Sequence, residues 1–257
     1  MYRVIKRKHN LRHMSALIEE MMTIQTEVNN KVDKDWKSKE REWYRAACVE
    51  CAELLDSIGY KWWKHSPTID YENSKTELVD IFHFILSICI ENHISSGTVA
   101  LLWSPFEKNI VMSSNPYIEN YDKYDKEETK VEIEDEKERT RLVLCRSIDH
   151  LMLAFLEYHY IDRNLELVID IFSECCTLCD MTLEDLYLRY INKSVLNNFR
   201  QDNGYKEGTY IKDWNGKEDN EVLLELAASF DSSLREEINY FSWLYSQLQE
   251  YYYTKIL

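Results

Sequence analysis

Apolar residues recur along most of this chain at the three- and four-residue steps of a helix face. Met14 to Lys31 carries Ala16, Leu17, Met21, Ile24 and Val28 at such spacing and reads as an amphipathic helix. Trp43 to Ile58 reads as a second, ended by Gly59 and followed by the aromatic-basic stretch Tyr60 to His65. Beyond Pro67, Asp70 is the N-cap candidate for a third helix reaching about His93. Its continuous apolar run, Ile81 to Ile90, predicts burial on most sides. Arg141 to Tyr158, Leu165 to Cys179 and Leu183 to Arg200 predict three more helices, the last opened by a Thr182–Asp185 capping box. A final helix is expected from about Leu234 to Tyr253, with Ser233 and Glu236 as its capping box.

Two breaks interrupt this pattern. Residues 104–140 are polar and dense in charge, which predicts a mobile acidic linker or insertion. Gln201 to Gly216 holds three of the five glycines and reads as a loop. Only five glycines and three prolines in 257 residues leave too few turn residues for an all-β chain, so the expected class is all-α. No internal repeat stands out. One domain over 1–257 is expected, opening with a basic arm at 1–13.

A formal charge of −15 disfavours a nucleic-acid partner, because phosphate contacts need a basic surface. The apolar run at Ile81 is too short to span a bilayer, so no membrane partner is expected. Seven cysteines without a secretory signal indicate free thiols and an intracellular location, cytoplasm or nucleus. Cys48 and Cys51, and Cys176 and Cys179, form C-x-x-C pairs within helical apolar patterns, which favours buried thiols over structural zinc.

Glu50 and Glu53 lie three apart on the second predicted helix, and Glu77 and Asp80 three apart on the third, with twenty-three residues between the pairs. Residues three apart share a helix face, so each pair holds like charges that need a proton or a cation. Two such pairs on neighbouring apolar helices form an oxygen-rich site suited to Mg²⁺, which commonly shares its coordination with phosphates. Chemistry on a nucleotide triphosphate is therefore expected. Lys193, Asn197 and Arg200 share a helix face, and Tyr205, Lys206, Lys212 and Asn220 follow in glycine-containing chain. Cations, amides and a phenol of this kind can grip phosphates. Gln25 and Asn29, four apart, carry amides that donate and accept, while Trp62, His83 and Phe84 offer flat faces for stacking on a base.

Together these segments resemble the dimeric, all-helical dUTPases, relatives of the MazG-type nucleotide pyrophosphohydrolases. The resemblance rests on ECAELLDSIGYKWWK from Glu50, ENSKTELVDIFHFILS from Glu72, NKSVLNNFRQDNGYKEG from Asn192 and WNGKEDNEVL from Trp214, supported by IQTEVN from Ile24. It implies a helical bundle of the all-alpha NTP pyrophosphatase type and a homodimer. It also implies Mg²⁺-dependent hydrolysis of dUTP, and of dUDP, to dUMP, which limits uracil in DNA and supplies dUMP for dTMP synthesis. Glu50, Glu53, Glu77 and Asp80 would hold magnesium, with Glu50 or Glu53 taking the proton of the attacking water. Lys193, Asn197, Arg200, Tyr205, Lys206 and Asn220 match positions that contact phosphates and sugar. Gln25, Asn29, Trp62, His83 and Phe84 match the uracil and deoxyribose region. The rivals are a MazG-like enzyme for another nucleotide such as dCTP, a ferritin-like di-iron protein using the Asp80-x-x-His83 spacing, and a non-catalytic helical binding module.

Overall fold

The computed structural model describes residues 2–64, 68–103, 136–231 and 238–256, and these are almost wholly helical. Helices run α1 (Tyr2–Val32), α2 (Trp43–Ser57), α3 (Tyr71–Glu91), α4 (Ser96–Leu102) and α5 (Glu136–Glu157). They continue as α6 (Leu165–Leu178), α7 (Leu183–Asp202), α8 (Asp219–Ala228) and α9 (Tyr240–Lys255). A single π-helical turn, Tyr158–Asp162, closes α5. A short antiparallel hairpin, β1 (Asp213–Trp214) and β2 (Lys217–Glu218), precedes α8.

Local chemistry accounts for the boundaries. The Asp70 carboxylate accepts the Asn73 N–H at 3.0 Å and starts α3. Thr182 and Asp185 form the reciprocal capping box of α7. Gly59, at φ 73°, turns the chain out of α2. Helix α1 begins at Tyr2 rather than Met14, so the basic segment continues the first helix; no proline or glycine stops it, and Lys and Arg are good helix formers.

Three elements go beyond the sequence pattern. Helix α4 is capped by Ser95, whose hydroxyl accepts the Thr98 N–H. Helix α8 is capped by Glu218 with Glu221. Asn215 and Gly216 both take positive φ, 59° and 83°, as a two-residue hairpin requires. Helix α9 starts at Tyr240 under an Asn239 cap; Ser233 and Glu236 lie outside the described residues. So do the three prolines and most of the expected insertion; its last residues, from Glu136, already belong to α5.

The α2–α3 pair forms the centre. It is antiparallel: the Ser57 carbonyl accepts the Asp70 N–H at 2.8 Å, and Glu77 faces Glu53 and Glu50. Helix α1 packs on α3, α4 and α7, while α5 packs on α2 and α6. Leu54, Leu78, Phe82, Ile85, Phe172 and Leu186 are among the sealed residues of the main core. Phe82 and Phe172 stack with centroids 5.3 Å apart. A second cluster, including Phe199, Trp214, Leu244, Leu248 and Tyr252, holds the hairpin and α9 against α7. All seven cysteines are free thiols, five of them buried. No helix among the described residues is long and apolar enough to cross a membrane.

Candidate functional site

The antiparallel α2–α3 pair turns two three-residue spacings into one cluster. Glu50, Glu53 and Glu77 each offer an oxygen, and these atoms lie within 4.8 Å of one another. Burial first, and the charge of Asp80 next, push the Glu77 carboxyl up to about 8. Burial first, then Asp80 and Glu53, push Glu50 up to about 7. Asn73 donates to Glu77 Oε1 at 3.0 Å and to Ser57 Oγ at 2.7 Å, tying the carboxylate to the end of α2. Asp80 turns the other way and pairs with Lys193 Nζ at 2.7 Å. The three-glutamate group is the one metal-competent cluster found among the described residues, and His83 is not part of it. Oxygen-only donors, two of them with raised pKa values, fit a hard divalent cation, which would supply the missing positive charge.

Lys193 links this cluster to the late segment. It is 6% exposed and also donates to Asn220 Oδ1 at 3.0 Å, so α3, α7 and α8 meet at one ammonium. Lys212 carries its charge close enough to favour ionised Glu50. Arg200 is committed elsewhere. Its Nε and Nη2 grip Asp219, which is fully buried, at 2.8 and 2.7 Å. Tyr210 donates its hydroxyl to the same carboxylate at 2.9 Å. The Arg200 guanidinium lies over the Tyr205 ring, 5.7 Å from its centroid, and reaches Asn197 Oδ1 at 3.5 Å. Lys206 donates to the Val32 carbonyl at the end of α1. The expected phosphate group thus divides. Lys193 and Asn220 join the carboxylates, Arg200, Asn197 and Tyr205 gather round Asp219, and Lys206 caps a helix.

The expected base-reading group divides as well. Gln25, Asn29 and His83 are buried together. Gln25 Nε2 donates to Asn29 Oδ1 at 2.9 Å and to Ser87 Oγ at 3.1 Å. Gln25 Oε1 lies 2.6 Å from His83 Nδ1 and accepts from the Tyr190 hydroxyl at 2.5 Å. The His83 ring stacks on Tyr190 at 4.2 Å, and burial lowers its pKa to about 4, so it is neutral at pH 7. Phe84, one step round α3, instead stacks on Trp43 at 6.2 Å. Trp62 is 77% exposed and meets Trp63 edge to face. The exposed Trp62 and the Trp43-stacked Phe84 thus stand apart from the buried amides.

Sequence reasoning missed Ser87, Tyr190, Asp219 and Asn73. The first two were within reach: Ser87 follows His83 by one helical turn, and Tyr190 precedes Lys193 by three residues. Asp219 and Asn73 read as ordinary acidic and polar surface until their partners are known.

The sequence model of the family described as dUTPase matches residues 17–205. The span holds all four carboxylates, the buried amides, α7 and the chain on to Tyr205, and leaves Lys206, Lys212 and Asn220 beyond its end. No curated protein matches the chain. A match over most of the length, on a chain folded almost wholly into helices, places this protein in the all-alpha dUTPase family, whose members hydrolyse dUTP as dUTP diphosphatases.

Proposed function

We propose that the enzyme hydrolyses dUTP, and dUDP with it, to dUMP in a Mg²⁺-dependent reaction at Glu50, Glu53, Glu77 and Asp80. The observation that carries this reading is the convergence of three carboxylates, two of them pushed up to about 7 and 8 by burial first and by the charge of Asp80 next. When bound, Mg²⁺ neutralises phosphate charge and makes a water nucleophilic near neutral pH. Glu50, with its affinity for a proton already near neutrality, is the group suited to take the proton of that water. Glu53 shares its helix face. Lys193 holds Asp80 in place and, with Lys212, brings positive charge to the phosphate side of the cluster. Asn220 is held against Lys193 and is available to the phosphates or the sugar.

Arg200 takes a supporting role in this reading. Its pair with Asp219 fixes the start of α8, and through it Asn220, relative to α7. The buried Gln25, Asn29 and His83 group reads the base. A homodimer completes the proposal.

The test is pyrophosphate release from each deoxynucleoside triphosphate, with and without Mg²⁺. Cleavage of dUTP that needs Mg²⁺ and far exceeds that of dCTP or dTTP is expected. Equal turnover of all pyrimidine nucleotides would overturn the base assignment, and full activity in chelator would overturn the metal site.

A further inference from the structure

The buried amides contain a polarity problem that one hydroxyl solves. Ser87 is fully buried on α3, and its Oγ lies within hydrogen-bond distance of three groups. It donates to the His83 carbonyl at 2.9 Å. It faces the Gln25 amide at 3.1 Å and the Asn29 amide at 2.9 Å. A hydroxyl has one proton and two lone pairs. With the proton on the carbonyl, both amides must turn their NH₂ ends to Ser87. Turning both amides over would leave two amide oxygens and a carbonyl oxygen round a hydroxyl with one proton. At least one amide oxygen would then meet an oxygen in a buried site.

We propose that Ser87 is a positioning residue for base recognition: it fixes the orientation of the Gln25 and Asn29 amides and, through Gln25, the tautomer of His83. With Nε2 of Gln25 directed at Ser87, its Oε1 faces His83 Nδ1 at 2.6 Å. Tyr190 supports the same orientation: its hydroxyl lies 2.5 Å from that oxygen and 3.2 Å from the Met21 carbonyl, so its one proton belongs to the nearer acceptor. His83 Nδ1 must then carry the ring proton. Nε2 is left as a bare acceptor, buried and without a hydrogen-bond partner among the described residues. Asn29 Nδ2 has one hydrogen on Ser87 and a second that no described hydrogen bond uses.

This deepens the proposed reading of dUTP, on which it rests for its substrate. Uracil presents an N–H at N3 between two carbonyl oxygens, and cytosine presents a lone pair at N3. A site offering a bare ring nitrogen beside an amide N–H matches uracil. Against cytosine N3 it sets lone pair against lone pair, which is discrimination by an unpaired buried group. The amide pair, engaged with itself and with Ser87, orients the reading atom, and His83 Nε2 supplies it.

Long-range ¹H–¹⁵N correlation on histidine-labelled protein reports the tautomer directly, with His83 assigned from H83Q. The wild-type protein is expected to show the proton on Nδ1; a proton on Nε2 overturns the proposal without any further variant. Ser87→Ala is expected to give a mixture of tautomers and to lower the dUTP-over-dCTP ratio of kcat/KM by about tenfold or more, the scale of one buried hydrogen bond misplaced. Ser74→Ala is the control. Ser74 is equally buried on α3 and donates to its own preceding turn, at Asp70 O, as Ser87 does. It is expected to leave both readouts unchanged. An unaltered tautomer and an unaltered ratio in a folded Ser87→Ala would also overturn the assignment. If the wild-type enzyme turned over no nucleotide, the proposed function would fail, while the ring tautomer would still decide the role of Ser87.

Discussion

Glu77→Gln separates the electrostatic strain of the cluster from its chemistry. The Glu77 carboxyl is 7% exposed and its pKa is raised from 4.5 to about 8, by burial first and by Asp80 next. A raised carboxyl means that the folded protein holds the proton more tightly than the unfolded chain does. Stability is therefore greatest below the unfolded value of about 4.5, falls as pH rises towards about 8, and then levels off. At about 1.4 kcal/mol per pKa unit the ceiling is near 5 kcal/mol, and about 2 kcal/mol is the working figure because Glu77 titrates together with its neighbours. Glutamine cannot ionise, and its amide oxygen can keep the Asn73 bond. In chelator at pH 8.5 the variant should melt about 4–8 °C above wild type, given about 2–4 °C per kcal/mol for a domain of this size. At pH 4.5 the two should melt together. Saturating Mg²⁺ should raise the melting temperature of wild type and leave the variant behind, with turnover lost. Thermal melts across pH 4.5–9 in EDTA make the measurement. Parallel wild-type and variant curves over that whole range would refute the reasoning.

Other outcomes follow from the same geometry. Glu53→Gln should lower dUTP turnover at least about a hundredfold in steady-state assays while circular dichroism stays helical. Asp80→Asn should lose activity too, but it leaves Lys193 buried without its carboxylate, so chemical denaturation should show a loss of about 3 kcal/mol where simple relief of like charge would predict a gain. Arg200→Ala should cost about 3–5 kcal/mol by stranding Asp219, and a melting temperature equal to wild type would show that the pair is not structural. A non-hydrolysable dUTP analogue with Mg²⁺ should protect amides from Gln201 to Asn220 against hydrogen exchange, because charge-assisted bonds order the glycine-containing segment. Unchanged exchange there would mark an ordinary loop.

Much of this protein was legible without coordinates. Local rules sufficed wherever cause and effect lie within a few residues. The scarcity of glycine and proline, the helical steps of the apolar residues, and the caps at Asp70 and Thr182 set the class and most helix limits. The spacings Glu50–Glu53 and Glu77–Asp80 each specified a shared helix face; the oxygens of Glu50, Glu53 and Glu77 meet there, while Asp80 pairs with Lys193. The Asn215–Gly216 hairpin is also written locally, as a dipeptide that tolerates two positive φ values within a stretch whose glycines predict only a loop.

Partnership was a different matter, because spacing along one helix does not say what stands opposite. Lys193, Asn197 and Arg200 share a face, yet Lys193 meets Asp80 from α3 and Arg200 meets Asp219 from α8. His83 and Phe84 are sequence neighbours about 100° apart on α3; one faces Gln25 and the other Trp43. Ser87 looks like any small residue in an apolar run until α1 brings two amides to it from 62 and 58 positions away. Hydrogen bonds and ion pairs act over about 3 Å of space, whatever the separation along the chain. The sequence therefore set which helices form and which faces carry charge, and only their packing decided which carboxylates converge and which one meets a lysine.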